Sequence, residues 1–200
     1  YSNNEDYDGT LLLAIISADK SFLCRYLNQL MEGGEKLRFN SGYDTERLLK
    51  VWDAECFIDF ADMVFDYLHE QKNPMHWLYD SPLSKMLCSQ SNHLEIIPKQ
   101  DLWIEHIIER YSSDGERMYE LFSAIEELPP ARRKKAVEKF LMLNSDPDIF
   151  SRLPLEPYHW GGSGSMIPYM QERIDFLSSL LPSVSGSKYL RQKQRIEQDI

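Results

Sequence analysis

The sequence predicts an all-α fold: an irregular array of antiparallel helical hairpins, like a piece of a HEAT or TPR solenoid, with a closed helical bundle as the alternative. Three observations point there. From Ala54 to Gln71, Phe57, Phe60, Ala61, Val64, Phe65 and Leu68 recur at helical spacing, while Glu55, Asp59, Asp62, Asp66 and Glu70 fall on the opposite side. The same three-and-four spacing returns in several later segments, and no segment of comparable length alternates at strand period. Finally, the stretch DGERMYELFSAIEELPPARRKKAVEKFLMLNSDPDIF reads as two amphipathic helices joined by a proline turn, about one helical repeat in length.

Taken in order, the polar opening YSNNEDY has little to bury. Asp8 is placed to cap a short helix over Leu11–Ser17, and Asp19 a second running to Met31 with Phe22, Leu23, Tyr26, Leu27, Leu30 and Met31 inward. The glycines of GGEKLRFNSGY, 33–43, mark a loop. Asp44 starts a helix through Trp52 that continues or kinks into the 54–71 stripe, which Asn73-Pro74 breaks. Ser81-Pro82 forms an N-cap and first-turn pair, and LEIIP, 94–98, is the best candidate for an extended piece. Leu102, Trp103, His106, Ile107 and Tyr111 trace the next inward face. Ser113 or Asp114 caps a helix carrying Met118, Leu121, Phe122 and Ile125, and Pro130 opens its successor. The run PLEPYHWGGSGSMIP is the clearest internal boundary, so the chain divides into a helical array over 1–153, a linker loop over 154–168 and packed C-terminal helices over 169–200.

At 200 residues and 42% hydrophobic, the chain can bury a core, and its charged content is that of a folded protein. A net charge of −10 disfavours general binding to nucleic acid or anionic membranes. The acidity is uneven: residues 1–80 hold 7 Lys/Arg against 15 Asp/Glu, while 81–200 hold 15 against 17. The longest apolar runs, such as LLLAII at 11–16, fall short of the ~20 residues of a membrane span. Three cysteines without a CxxC pair suit a reducing, cytoplasmic setting, and the apolar neighbours of Cys24 and Cys56 predict buried structural thiols. The chain starts at Tyr1 and ends in KQRIEQDI still in helical pattern, so we read it as a segment of a larger protein.

No constellation specifies a reaction. GGSGS, 161–165, lacks the lysine and the strand of a phosphate loop, and no dinucleotide fingerprint occurs. The five histidines form no HExxH or HxH, and no serine sits in a G-x-S-x-G elbow. The sequence therefore predicts no catalytic residue, no metal and no cofactor. One feature opposes its surroundings: Arg132, Arg133, Lys134 and Lys135 crowd the start of a helix, where the macrodipole disfavours cations. With Tyr158 and Trp160 as aromatic anchors, these four are the candidate contacts for a protein partner.

The tail LEPYHWGGSGSMIPYMQERIDFLSSLLPSVSGSKYLRQKQRIEQDI, with the hairpin before it, resembles the helical C-terminal regions of large bacterial STAND-type regulatory ATPases. That resemblance covers about the last third of the chain and implies a sensor or scaffold arm whose ATPase and effector domains lie elsewhere. No nucleotide-binding residue is carried over, because the chain has no Walker motif. The expected function is a non-catalytic protein-interaction module of a larger bacterial regulatory protein. Two alternatives stand beside it. One is an all-α enzyme domain with an interhelical polar site, with Asp101, Glu105 and His106 as its candidates; the other is a nucleic-acid accessory domain using the basic helix 131–139.

Overall fold

The computed structural model describes residues 6, 9–32, 47–71, 82–88, 94–155 and 165–200, and every regular element among them is a helix. None of the described helices is long and apolar enough to cross a membrane. Backbone contacts divide the chain into two units, Tyr1–Trp103 and Ile104–Ile200. The boundary expected at 154–168 lies inside the second unit, with 156–164 outside the described residues.

The first unit begins with α1 (Thr10–Ala18) and α2 (Ser21–Glu32). Asp8 lies outside the described residues, and the observed cap of α1 comes from further upstream. The Asp6 carboxylate accepts from the backbone N–H groups of Leu11 at 3.0 Å and Leu12 at 2.8 Å. Arg47 Nε donates to the Asp6 carbonyl at 2.7 Å, and both side chains are buried. Gly9 makes this latch possible. Its φ is 76°, and a Cβ there would lie 2.6 Å from the Arg47 Cα. Asp19 starts α2 as expected, accepting from Ser21 N–H at 3.1 Å and from the Arg25 guanidinium at 2.7 Å.

Residues 47–49 are helical and tighten into a 3₁₀ turn over Lys50–Asp53. Ala54 is extended, so the helix expected from 54 begins later, as α3 (Phe57–Gln71). Of its predicted stripe, Phe60, Ala61, Val64, Phe65 and Leu68 are buried, while Phe57 in the first turn is half-buried. The facing acids are partly consumed by neighbours. Asp59 pairs with Lys20 at 2.9 Å, and Asp62 accepts from the indole N–H of Trp103 at 2.8 Å. Next come α4 (Pro82–Cys88), a 3₁₀ turn Leu94–Ile96, and α5 (Ile97–Tyr111). LEIIP is thus helical and not extended. Pro98 sits in the first turn of α5, where its missing N–H has no intrahelical partner to lose. The inward face of α5 is also rotated from expectation: Gln100, Trp103, Ile104, Ile107 and Ile108 are buried, whereas Leu102 is 52% exposed. Trp103 stands edge-on to Trp52 and Phe65, with ring centroids 6.0 and 5.9 Å away, and these rings form the aromatic centre of the unit.

The second unit takes α5 from Ile104 onward and adds α6 (Gly115–Ala124), α7 (Pro130–Leu143), α8 (Pro147–Arg152), α9 (Ile167–Leu180) and α10 (Leu190–Asp199). Asp114 caps α6 through the N–H groups of Glu116 and Arg117, both at 3.1 Å, and Pro130 occupies the first turn of α7, as the sequence predicts. Phe122 and Phe140 stack edge-on at 6.2 Å, joining α6 to α7. Backbone contacts link α6 with α8, α7 with α9, α8 with α10, and α9 with α10. The last helix serves mainly as a donor. Gln192 donates to the Ser145 carbonyl at 2.7 Å, and Arg195 donates to the carbonyls of Phe150 and, at 2.9 Å, Leu153. Just before it, Tyr189 Oη donates to the Leu141 carbonyl at 2.6 Å.

Cys24 and Cys56 are free and half-exposed, not the buried thiols their neighbours in sequence suggest. Cys56 sits at the mouth of α3, where its carbonyl accepts from Phe60 N–H at 3.2 Å, and so it falls outside the inward stripe.

Gly9→Ala places a Cβ against backbone in a left-handed conformation, so a loss of about 1–3 kcal/mol is expected in urea unfolding. An unchanged midpoint would show that the Asp6–Gly9–Arg47 latch does not hold the start of α1.

Candidate functional site

The basic run does not form one exposed patch. Arg132 and Arg133 donate their backbone N–H groups to the Pro129 carbonyl at 2.9 and 3.2 Å, which sets the first turn of α7. Helical phase then sends Arg133 inward with Ala136, Val137 and Phe140. Arg133 is 5% exposed; its guanidinium lies 4.4 Å from the Phe176 ring centroid and its Nη1 is 3.5 Å from the Leu155 carbonyl. As a docking cation it is therefore corrected to a core-lining stem that joins α7 to α9. Lys134 leans toward Glu138 at 3.9 Å, Lys135 is exposed, and Arg132 is half-exposed. Further along, Lys139 is ion-paired with Glu109 on α5. That bond, the largest cause in each case, holds the Glu109 carboxyl below its ordinary range and the Lys139 ammonium above its own. Tyr158 and Trp160 lie outside the described residues.

The trio weighed as an enzyme site is carried by one helix. Glu105 is exposed and Asp101 and His106 are half-buried, with Asp101 in the first unit and the other two in the second. Among the described residues, no three His, Cys, Asp or Glu side chains converge to hold a metal ion.

What the sequence does not reveal is a groove of about 520 Å³ beside the basic run. One wall is the start of α7, with Pro130, Ala131 and Lys134; the other is α9, with Pro168, Gln171, Glu172, Asp175, Phe176 and Ser179. The α9 positions fall at i, i+3, i+4, i+7, i+8 and i+11, a continuous face over three turns. Because much of this face is polar, it gives no hydrophobic stripe to read. Met166 and Ile167, just before Pro168 in the chain, are 50% and 75% exposed. No protein-family model, curated protein or solved structure matches the chain.

Glu126, in the turn between α6 and α7, is 8% exposed. Burial lifts its carboxyl from the ordinary value of 4.5 to about 7, with Glu127 adding to the rise and Arg133 opposing it. The folded value lies above the unfolded one, so the native chain keeps a proton that the unfolded chain has already lost. Stability should fall as pH rises from about 4.5 to about 7 and level off above that window. Glu126→Gln is expected to flatten this part of the melting-temperature profile: its Tm should match the parent at pH 4 and exceed it at pH 8. Parallel profiles would show that Glu126 titrates normally.

Proposed function

We propose that the chain is a non-catalytic, helical protein-interaction module, a sensor or scaffold arm of a larger bacterial regulatory protein. The observation that carries this reading is the groove between the first turn of α7 and three turns of α9, with charged walls and Lys134 in common with the basic run. A concave strip between two helices suits an inserted partner segment better than it suits chemistry, since no acid–base pair faces across it at bonding distance among the described residues. The alternation of contacts, α6 with α8, α7 with α9 and α8 with α10, supports the array reading, because hairpins in a helical stack touch the corresponding helix of the next hairpin. Lys134, Lys135 and Arg132 form the accessible cationic edge, and Tyr158 and Trp160 are further candidate anchors by sequence alone.

Two variants test the reading by affinity capture from bacterial cells with quantitative mass spectrometry. Ala131→Trp fills the groove, and the joint change Lys134→Glu with Lys135→Glu reverses its edge. Each should lower capture of a wild-type partner by about tenfold or more, with circular dichroism unchanged. Partners held equally well by both variants would place binding elsewhere on the chain and overturn the assignment.

A further inference from the structure

The walls of the groove between α7 and α9 carry opposite charge. On α7 stands Lys134, close to the helix N-terminus, where the macrodipole adds positive potential. Glu138 meets Lys134 only at 3.9 Å, so the ammonium keeps donors available. On α9 stand Glu172 and Asp175, both exposed; Asp175 accepts from Gln171 at 2.8 Å. Phe176 lies between the walls as floor, one face covered by the Arg133 guanidinium.

Length and backbone chemistry narrow the occupant. The α9 wall, twelve residues from Pro168 to Ser179, rises about 16 Å, the length of three helical turns, and the start of α7 faces part of it. Both walls are helices whose backbone groups bond internally, so they offer no edge on which an extended peptide could add as a strand. A polyproline segment wants a row of open aromatic faces, and the lining has Phe176 alone. We infer that the groove receives a three-turn amphipathic helix of a partner protein, whose aliphatic ridge is flanked by carboxylates on one side and by lysine or arginine on the other. Its carboxylates meet Lys134, its cations meet Glu172 and Asp175, and its ridge covers the exposed Pro130, Ala131 and Pro168 above the buried Phe176 ring. This rests on the interaction-module reading and specifies the partner's chemistry.

Fluorescein-labelled peptides read by anisotropy against the whole chain provide the test. The matched probe is three tandem Glu-Leu-Lys-Ala repeats, which put leucines along one ridge with opposite charges on its flanks. The controls replace Glu by Lys, Lys by Glu, or Leu by Ala. The matched peptide is expected to bind at least about tenfold more tightly than each control. In the Glu172→Lys, Asp175→Lys double variant the preference should move to the all-acidic peptide, and in Lys134→Glu to the all-basic one. Three results would overturn the inference: leucine peptides that bind alike whatever their charge, a preference the wall variants leave in place, or no binding at all. Self-association of the chain that Ala131→Trp abolishes would also overturn it, by giving the groove to a second copy. Continued partner capture in any of these cases leaves the module reading standing, so the two failures are distinguishable.

Discussion

Short helices impose one constraint on everything else in this protein. Each ends in carbonyls with no intrahelical partner, and when that end faces an apolar interior every such carbonyl needs a donor from elsewhere. Here the donors are long polar side chains from distant parts of the chain. The carbonyl of Met86, in the last turn of α4, accepts from the Trp52 indole at 3.0 Å and from the Gln100 amide at 2.9 Å. Lys99 reaches the Trp52 carbonyl at 2.5 Å, and Asn144 that of Ser112 at 2.6 Å. Tyr189 and Arg195 do the same for the ends of α7 and α8, and Gln192 for the link between them. A buried acceptor left without its donor costs about 1–3 kcal/mol, comparable to a substantial core truncation, so these bonds rank with packing in fixing where helices stop.

The division between what could be read from sequence and what could not follows from the range of each interaction. Asp19, Asp114 and Pro130 were legible because a cap acts on amide groups two or three residues away. The α3 stripe was legible because its apolar residues all face one way. Asp6 was not, because the backbone it caps is brought to it by Gly9 and by Arg47, 41 residues on. The α5 face departs from its hydrophobic pattern because Gln100 points inward to reach the Met86 carbonyl, a role invisible to that pattern, while Leu102 points out. Arg133 was decipherable in principle: it shares a helical face with Val137 and Phe140, and four consecutive cations obscured that phase.

The same distinction governs the candidate site. Some charges among the described residues are spent within the chain: Lys20 on Asp59, Lys139 on Glu109, Arg133 on the Phe176 face. What stays outward near the α7–α9 groove is a small, ordered set of charges of both signs. Arg133 ties the two ideas together, since its buried guanidinium stacks on the ring that floors the groove and so holds the two walls together. The site is a consequence of how α7 and α9 are joined, which is why a linear reading found the cations but not the cleft beside them.

The claim that side-chain donors to helix-end carbonyls hold this fold is tested most directly at Arg195, which supplies the Leu153 carbonyl and shares the Phe150 carbonyl with the Leu153 N–H. Arg195→Met keeps much of the aliphatic stem and removes the donors. Urea unfolding of this variant should show a loss of about 1–3 kcal/mol, against less than about 0.5 kcal/mol for Arg191→Met on the exposed side of the same helix. Equal losses from the two substitutions, or none from Arg195→Met, would contradict the account.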